Sequence, residues 1–217
     1  MPTSPWKFCS TDLLGPLPDG RYVIVIIDYF SRYFEAALLR STKTGAVIDF
    51  LDAIFTRFGY PEALRSDIGP QFTSVEFEAY LKSNGIKWVS TTPLWPQASG
   101  LVDRTNRTIE KILKIATVEK KDLQKEFRKF LVAYRSTPHT STGCTPFSLM
   151  FGREMRNKLP QLDYSAAAIP EVARERDMEY KLKMKDYANK KAADSNIQEG
   201  DIVVMLNVTK DKLQPNF

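Results

Sequence analysis

Residues 21–30 carry an unbroken apolar run, Tyr-Val-Ile-Val-Ile-Ile, closed by Asp28-Tyr-Phe. A short run rich in β-branched and aromatic residues predicts a buried strand. Residues 33–40 follow the Ser31-Arg32 turn and predict its paired strand. Residues 7–14 predict a weaker strand that stops at Gly15-Pro16. The period then changes. Val47, Phe50, Leu51, Ile54, Phe55 and Phe58 recur three and four apart, one apolar stripe on a helix from about Thr44. Gly59 and Pro61 stop that helix. Short strands over 62–66 and 86–90 bracket a helix over 74–84, with Gly85 as its stop signal. A proline-rich loop at 91–100 leads to helices over 101–117 and 123–136. In the second of these Leu123, Phe127, Phe130, Leu131 and Tyr134 share one face. Strands followed by alternating helices and strands predict a mixed α/β sheet flanked by helices.

Past Tyr164 the character changes. Ala166 to Ala168 and Pro170 suggest a linker, and residues 171–193 are highly charged with helical composition. Gly200-Asp201 opens the single short strand Ile-Val-Val-Met-Leu, and one strand makes no domain. The expected organisation is a core over 1–164, a charged helical linker over 165–199, and the truncated start of a small β module over 200–217.

Charge adds a location to this picture. The net charge is +5. Residues 101–135 hold ten basic and five acidic side chains, so that stretch alone equals the excess. A basic stretch beside carboxylates suits a polyanion; a solvated helix face with ordinary ion pairs is the plainer alternative. Cys9 and Cys144 form no metal or disulfide pattern, which fits a reducing compartment. No apolar run is long enough to span a membrane, and residues 1–6 have no secretory pattern.

Three acids stand out by position. Asp12 lies at the end of a predicted strand, Asp67 ends another, and Asp103 lies in the first turn of the basic helix. Carboxylates at strand ends and on a neighbouring helix can converge at one rim of a sheet. Placed together they repel, and divalent metal between them keeps them ionised. Oxygen-only ligands suit two Mg²⁺ or Mn²⁺ ions, and such a pair supports phosphoryl transfer. Taken singly, each acid also has a plain role. Asp12 and Asp67 suit turns beside glycine and proline. Asp103 suits a helix N-terminus, paired with Arg107 at i+4.

The functional reading gains force from the surrounding segments. They are Trp6 with Asp12-Leu-Leu-Gly-Pro-Leu-Pro, Asp28-Tyr-Phe-Ser-Arg, Ser66-Asp67-Ile-Gly-Pro-Gln-Phe-Thr-Ser, Thr92-Pro-Leu-Trp-Pro-Gln-Ala-Ser-Gly, Asp103-Arg-Thr-Asn-Arg, and Ala133-Tyr-Arg-Ser-Thr-Pro-His-Thr-Ser-Thr-Gly. In this order they resemble the integrases of retroviruses and, more closely, of gypsy-type long-terminal-repeat retrotransposons. The match runs from about Trp6 to Leu162. The resemblance implies a ribonuclease-H-like fold that cuts and joins DNA with two metal ions, with Asp12, Asp67 and Asp103 as the catalytic and metal-binding acids. In that family thirty-five residues separate the second and third acids, and residues 68–102 supply the same spacing here.

Three positions depart from the family pattern. The third acid is usually glutamate, and Asp103 is one methylene shorter. Ile68 and Ser99 stand where asparagine is common. These changes imply weakened activity, or an integrase-derived nucleic-acid-binding module that has lost its chemistry, host-adopted or decaying. A more distant ribonuclease-H-like nuclease is a third reading, against which the dense motifs argue. The family's zinc-binding N-terminal module has no counterpart here, and the resemblance places His139, the chain's single histidine, in a packing loop. Arg107, Lys111 and Lys114 are four and three apart, so they share one helix face suited to DNA phosphates. The resemblance further implies a DNA partner, a homodimer and a nuclear location.

Overall fold

Strand β1 (Phe8–Leu14) lies at the centre of a five-stranded sheet with the order β3-β2-β1-β4-β5. The computed structural model describes residues 2–90, 100–158 and 170–190, with the backbone alone at 101 and 103. Strands β1, β2 (Tyr22–Asp28) and β3 (Phe34–Leu39) form an antiparallel meander. Strands β4 (Ala63–Ser66) and β5 (Lys87–Ser90) add in parallel on the other side of β1. The mixed sheet is therefore present as expected. Asp12 sits two residues inside β1, level with Val25, rather than at the strand's end.

The apolar run explains why β2 is covered on both faces. Successive side chains of a strand alternate between faces. Val23, Val25 and Ile27 pack with α3 (Gly100–Val118) and α4 (Leu123–Ser136). Ile24 and Ile26 pack with α1 (Thr44–Phe58) and α2 (Val75–Ser83). Within the α1 stripe, Val47, Leu51, Ile54 and Phe55 are buried. Ser74 caps α2 by accepting from Phe77 N, and Asp122 caps α4 by accepting from Lys125 N.

The short helix α5 (Pro146–Phe151) was not expected. Six residues are too few to display a helical period. Its signals are local: Thr145 Oγ1 accepts from Ser148 N, proline opens the first turn, and Gly152 closes it at φ 69°. Helix α6 (Pro170–Asn189) matches the expected charged helix. The chain divides into two compact units, Met1–Lys181 and Leu182–Phe217. In the second, the described residues 182–189 continue α6. The strand expected after Gly200, the loop at 91–99 and the linker around 165–168 lie outside the described residues. Among the described residues no helix is long and apolar enough to cross a membrane.

Asp28 ends β2 as a structural acid. It is fully buried and accepts from Trp6 N, Phe30 N, Ser31 N and Ser31 Oγ, the last at 2.6 Å. Burial pushes its carboxyl up, against the lowering effect of those donors. These bonds shape the turn that presents Arg32 at φ 67°.

His139 lies in the packing loop after α4, as the resemblance places it. Its Nδ1 accepts from Ser141 N at 3.2 Å and lies 2.9 Å from Ser141 Oγ. Burial first, then the charges of Arg32 and Arg104, push its pKa down to about 4. Below its ordinary value of 6.5 the unfolded chain takes up a proton that the folded chain refuses. Stability is therefore complete above pH 6.5 and falls as pH drops toward 4, by at most about 3 kcal/mol. Unfolding midpoints measured from pH 7 to pH 5 are expected to fall in the natural chain, and to fall less in His139→Gln.

Candidate active site

The parallel pairing of β1 and β4 runs toward two of the three expected acids. That ladder aligns Cys9 with Leu64 and Ser10 with Arg65. Continued two residues past its last pair, that register would set Asp12 beside Asp67. The same alternation places Ser10, Asp12 and Leu14 on the sheet face that α3 covers. Arg65 supports this edge, with its guanidinium 5.7 Å from the ring centroids of both Phe8 and Tyr29.

Asp12 is half-buried and held at both oxygens. Oδ1 accepts from Leu13 N at 2.8 Å, and Oδ2 accepts from Asn106 Nδ2 at 2.6 Å. Asn106 is on α3 and buried, and its Oδ1 has no hydrogen-bond partner among the described residues. A buried amide oxygen left unpaired is costly, so it marks a place where a further donor or cation would be welcome.

Asp67 follows β4 and is exposed, its Oδ1 accepting from Gly69 N at 3.1 Å. That bond is the turn role expected of an aspartate two residues before glycine. The end of β4 is fixed from behind, since Trp88 Nε1 donates to Ser66 Oγ at 2.9 Å. Ile68 beside it is 54% exposed, so an apolar side chain faces solvent next to the acid.

Asp103 lies on α3 one turn before Asn106, and its side chain is outside the described residues. Among the described residues no three of histidine, cysteine, aspartate and glutamate are grouped to hold a metal. The described part of the site is two carboxylates and an amide. Arg107, Lys111 and Lys114 are all exposed on α3, and Lys114 pairs with Glu110 at 3.8 Å. Arg104 turns elsewhere, donating to Tyr180 Oη at 2.7 Å.

Asn106 was missed by sequence reasoning although it lies in the segment Asp103-Arg-Thr-Asn-Arg. The available signal was its spacing: positions three apart share a helix face, so a polar residue at 106 belongs to the same side of α3 as position 103.

Comparison with known proteins gives this geometry a family. Residues 2–96 match the integrase core domain family. The chain is 36% identical over 163 residues to an uncharacterized protein, K02A2.6, of Caenorhabditis elegans, covering 75% of this chain and 13% of that protein. It is 33% identical over 150 residues to the Pol polyprotein of Feline endogenous virus ECE1, covering 68% of this chain and 14% of that protein. The chain thus spans about an eighth of the length of these relatives. Among solved structures, it resembles the HTLV-2 integrase catalytic core domain in complex with magnesium, with a TM-score of 0.58 and 21% identity, over 68% of this chain and 98% of that one. A chain of the simian T-cell lymphotropic virus intasome in complex with PP2A regulatory subunit B56 gamma gives a TM-score of 0.62 at 22% identity, over 75% of this chain and 59% of that one. At such identities these likenesses establish a shared fold, the ribonuclease-H-like mixed sheet. The family match over residues 2–96 and the sequence identities to these relatives, rather than the structural likenesses, support a retroviral-type integrase catalytic core for this chain.

Proposed function

We propose that this core cuts and joins DNA by phosphoryl transfer, with Asp12, Asp67 and Asp103 as its acids. The observation that carries the reading is the meeting of Asp12 with α3. Asp12 is bonded through Asn106 to the helix that bears Asp103, and the β1–β4 register, continued past its last pair, would bring Asp67 beside it. Positions 103 and 106 share a face of that helix, which supports Asp103 as the third acid.

The donor set fits a hard divalent cation. It offers carboxylate oxygens and, within the described residues, the unpartnered Asn106 Oδ1 nearby. Asp12, Asp67 and Asp103 would hold two Mg²⁺ or Mn²⁺ ions. Such ions, when bound, activate an attacking oxygen and stabilise the leaving one. The protein's own part is positional. Leu13 N and Asn106 fix both oxygens of Asp12, so its carboxylate is oriented before substrate arrives. Exposed Arg107, Lys111 and Lys114 suit DNA phosphates, which position the duplex without reading its sequence. Pairing of two cores and action in the nucleus complete the proposal, by likeness to the family.

A second reading, a core that binds DNA without chemistry, rests on exposed Ile68 and on the shorter acid at 103. A missing methylene withdraws the carboxylate by about 1.5 Å, and a shift of about 1 Å can cost a hundredfold in rate. Asp103→Glu combined with Ile68→Asn is therefore expected to raise strand joining at least about tenfold, measured on DNA ends with Mn²⁺ and then Mg²⁺. Activity in the double variant alone would identify a core silenced at these two positions. Equal activity in both chains would mean that the aspartate serves as well as glutamate.

A further inference from the structure

The first three turns of α6 meet the rest of their unit along one stripe. Ala173, Asp177 and Tyr180 are four and three apart, the spacing of a single helix face. With Arg174 they are the residues of 170–181 that are not exposed. Ala173 is fully buried with Phe30 and Leu149. Arg174 donates to Thr3 O and lies over the Phe30 ring. Asp177 forms an ion pair with Arg32 in which both side chains are almost completely buried, and Lys181 Nζ lies 2.8 Å from its other oxygen. Tyr180 completes the stripe. Its hydroxyl accepts from Arg104 Nη1 at 2.7 Å, and the Arg104 guanidinium sits 5.7 Å from its ring centroid.

Arg104 follows Asp103 directly on α3. Arg104 and Asn106 are two residues apart, so they leave that helix about 200° from one another. One is tied to Tyr180 and the other to Asp12. A helix tied on opposite sides cannot roll about its axis, and rolling is the motion that would carry position 103 away from the sheet edge. An aspartate, with its short side chain, depends on backbone placement more than a glutamate does.

We propose that this stripe of α6 is a clamp on α3, and that Tyr180 is a positioning residue that holds the turn carrying Asp103. The role in metal binding rests on the catalytic reading above; the clamp itself does not. Asp177 and Arg32 fix where α6 lies, and Tyr180 passes that position to Arg104. Neither Tyr180 nor Arg104 need touch DNA or metal for this.

The test uses the full chain and two variants, Tyr180→Ala and Tyr180→Phe, with amide hydrogen exchange and Mn²⁺ titration. Tyr180→Ala removes both the hydroxyl and the ring. Exchange over 100–106 is expected to quicken about tenfold, with β1–β3 unchanged. Mn²⁺ affinity is expected to weaken about tenfold, in step with that local opening. Tyr180→Phe keeps the ring and is expected to fall between the two. Unchanged exchange over 100–106 in Tyr180→Ala would overturn the clamp. Quickened exchange with Mn²⁺ affinity unchanged, in a chain whose binding Asp12→Asn abolishes, would overturn Tyr180 as a positioning residue. Quickened exchange in Tyr180→Ala, where the natural chain itself binds no Mn²⁺, would support the clamp and overturn the catalytic reading instead.

Discussion

Asp12→Asn is expected to abolish DNA cutting and joining, by at least about a thousandfold, while leaving the thermal midpoint nearly unchanged. The two halves of this expectation have separate causes. Asparagine has the shape of aspartate, and its amide oxygen can still accept from Asn106 or from Leu13 N, the partners that now hold the carboxylate. The strand pairing of Asp12 with Val25 does not involve the side chain. The fold therefore loses little. The site loses one negative charge and one anionic ligand. Metal-ion stabilisation of phosphoryl transfer is worth several kcal/mol, and each ~1.4 kcal/mol is a factor of ten in rate. Single-turnover strand joining with Mn²⁺, alongside thermal unfolding of the same preparations, measures both. Activity within about tenfold of the natural chain would remove Asp12 from the chemistry.

Asp177→Ala is expected to be the most destabilising single change outside the sheet core, by about 3–5 kcal/mol. The reason is the exposure of the pair: 5% for the Arg32 side chain and 3% for that of Asp177. Removing one partner strands the other charge away from water. Arg32 keeps its bonds to Tyr29 O and Ser141 Oγ, which are neutral and do not replace a counter-ion. For a unit of this size, each kcal/mol lowers the midpoint by roughly 2–4 °C, so a fall on the order of 10 °C is expected. Removing both partners, in Arg32→Met with Asp177→Leu, is expected to cost less than the sum of the two single changes. A buried ion pair exchanged for apolar side chains is often nearly neutral. Denaturant unfolding of the four chains gives the coupling, expected at about 1–3 kcal/mol. Strict additivity would mean that the pair contributes nothing as a pair.

The same pair shows where the sequence stops being legible. The β2 run and the α1 stripe carry their burial in their own periodicity, so the sheet and its flanking helices could be laid out in advance. The β1–β4 register that runs toward Asp12 and Asp67 was harder to see, because it belongs to the strand pair rather than to either segment alone. Asp177 was unreadable. It lies in a helix that is charged throughout, and an acid signals burial only when its partner is known; that partner, Arg32, is far away in sequence. Asn106 falls between these cases. Its spacing from Asp103 was visible, but the bond to Asp12 needs the packing of α3 on β1. Helix α5 is too short for a pattern and is set by Thr145, Pro146 and Gly152 locally. The plain reading of Asp67 as a turn residue also holds, since its carboxylate does accept from Gly69 N. A carboxylate has capacity for more than one partner, so the turn and the metal role do not compete.

On the proposed function, Asp12, Asp67 and Asp103 would form one cation site at the rim of β1 and β4. Crystals of the natural chain grown with Mn²⁺, and measured for anomalous scattering, test it most directly. Manganese is expected at the carboxylates of Asp12 and Asp67, with the Asp103 side chain turned toward it. Manganese bound elsewhere, or an Asp103 carboxylate directed away from the sheet edge while Asp12 and Asp67 stay free of metal, would contradict it.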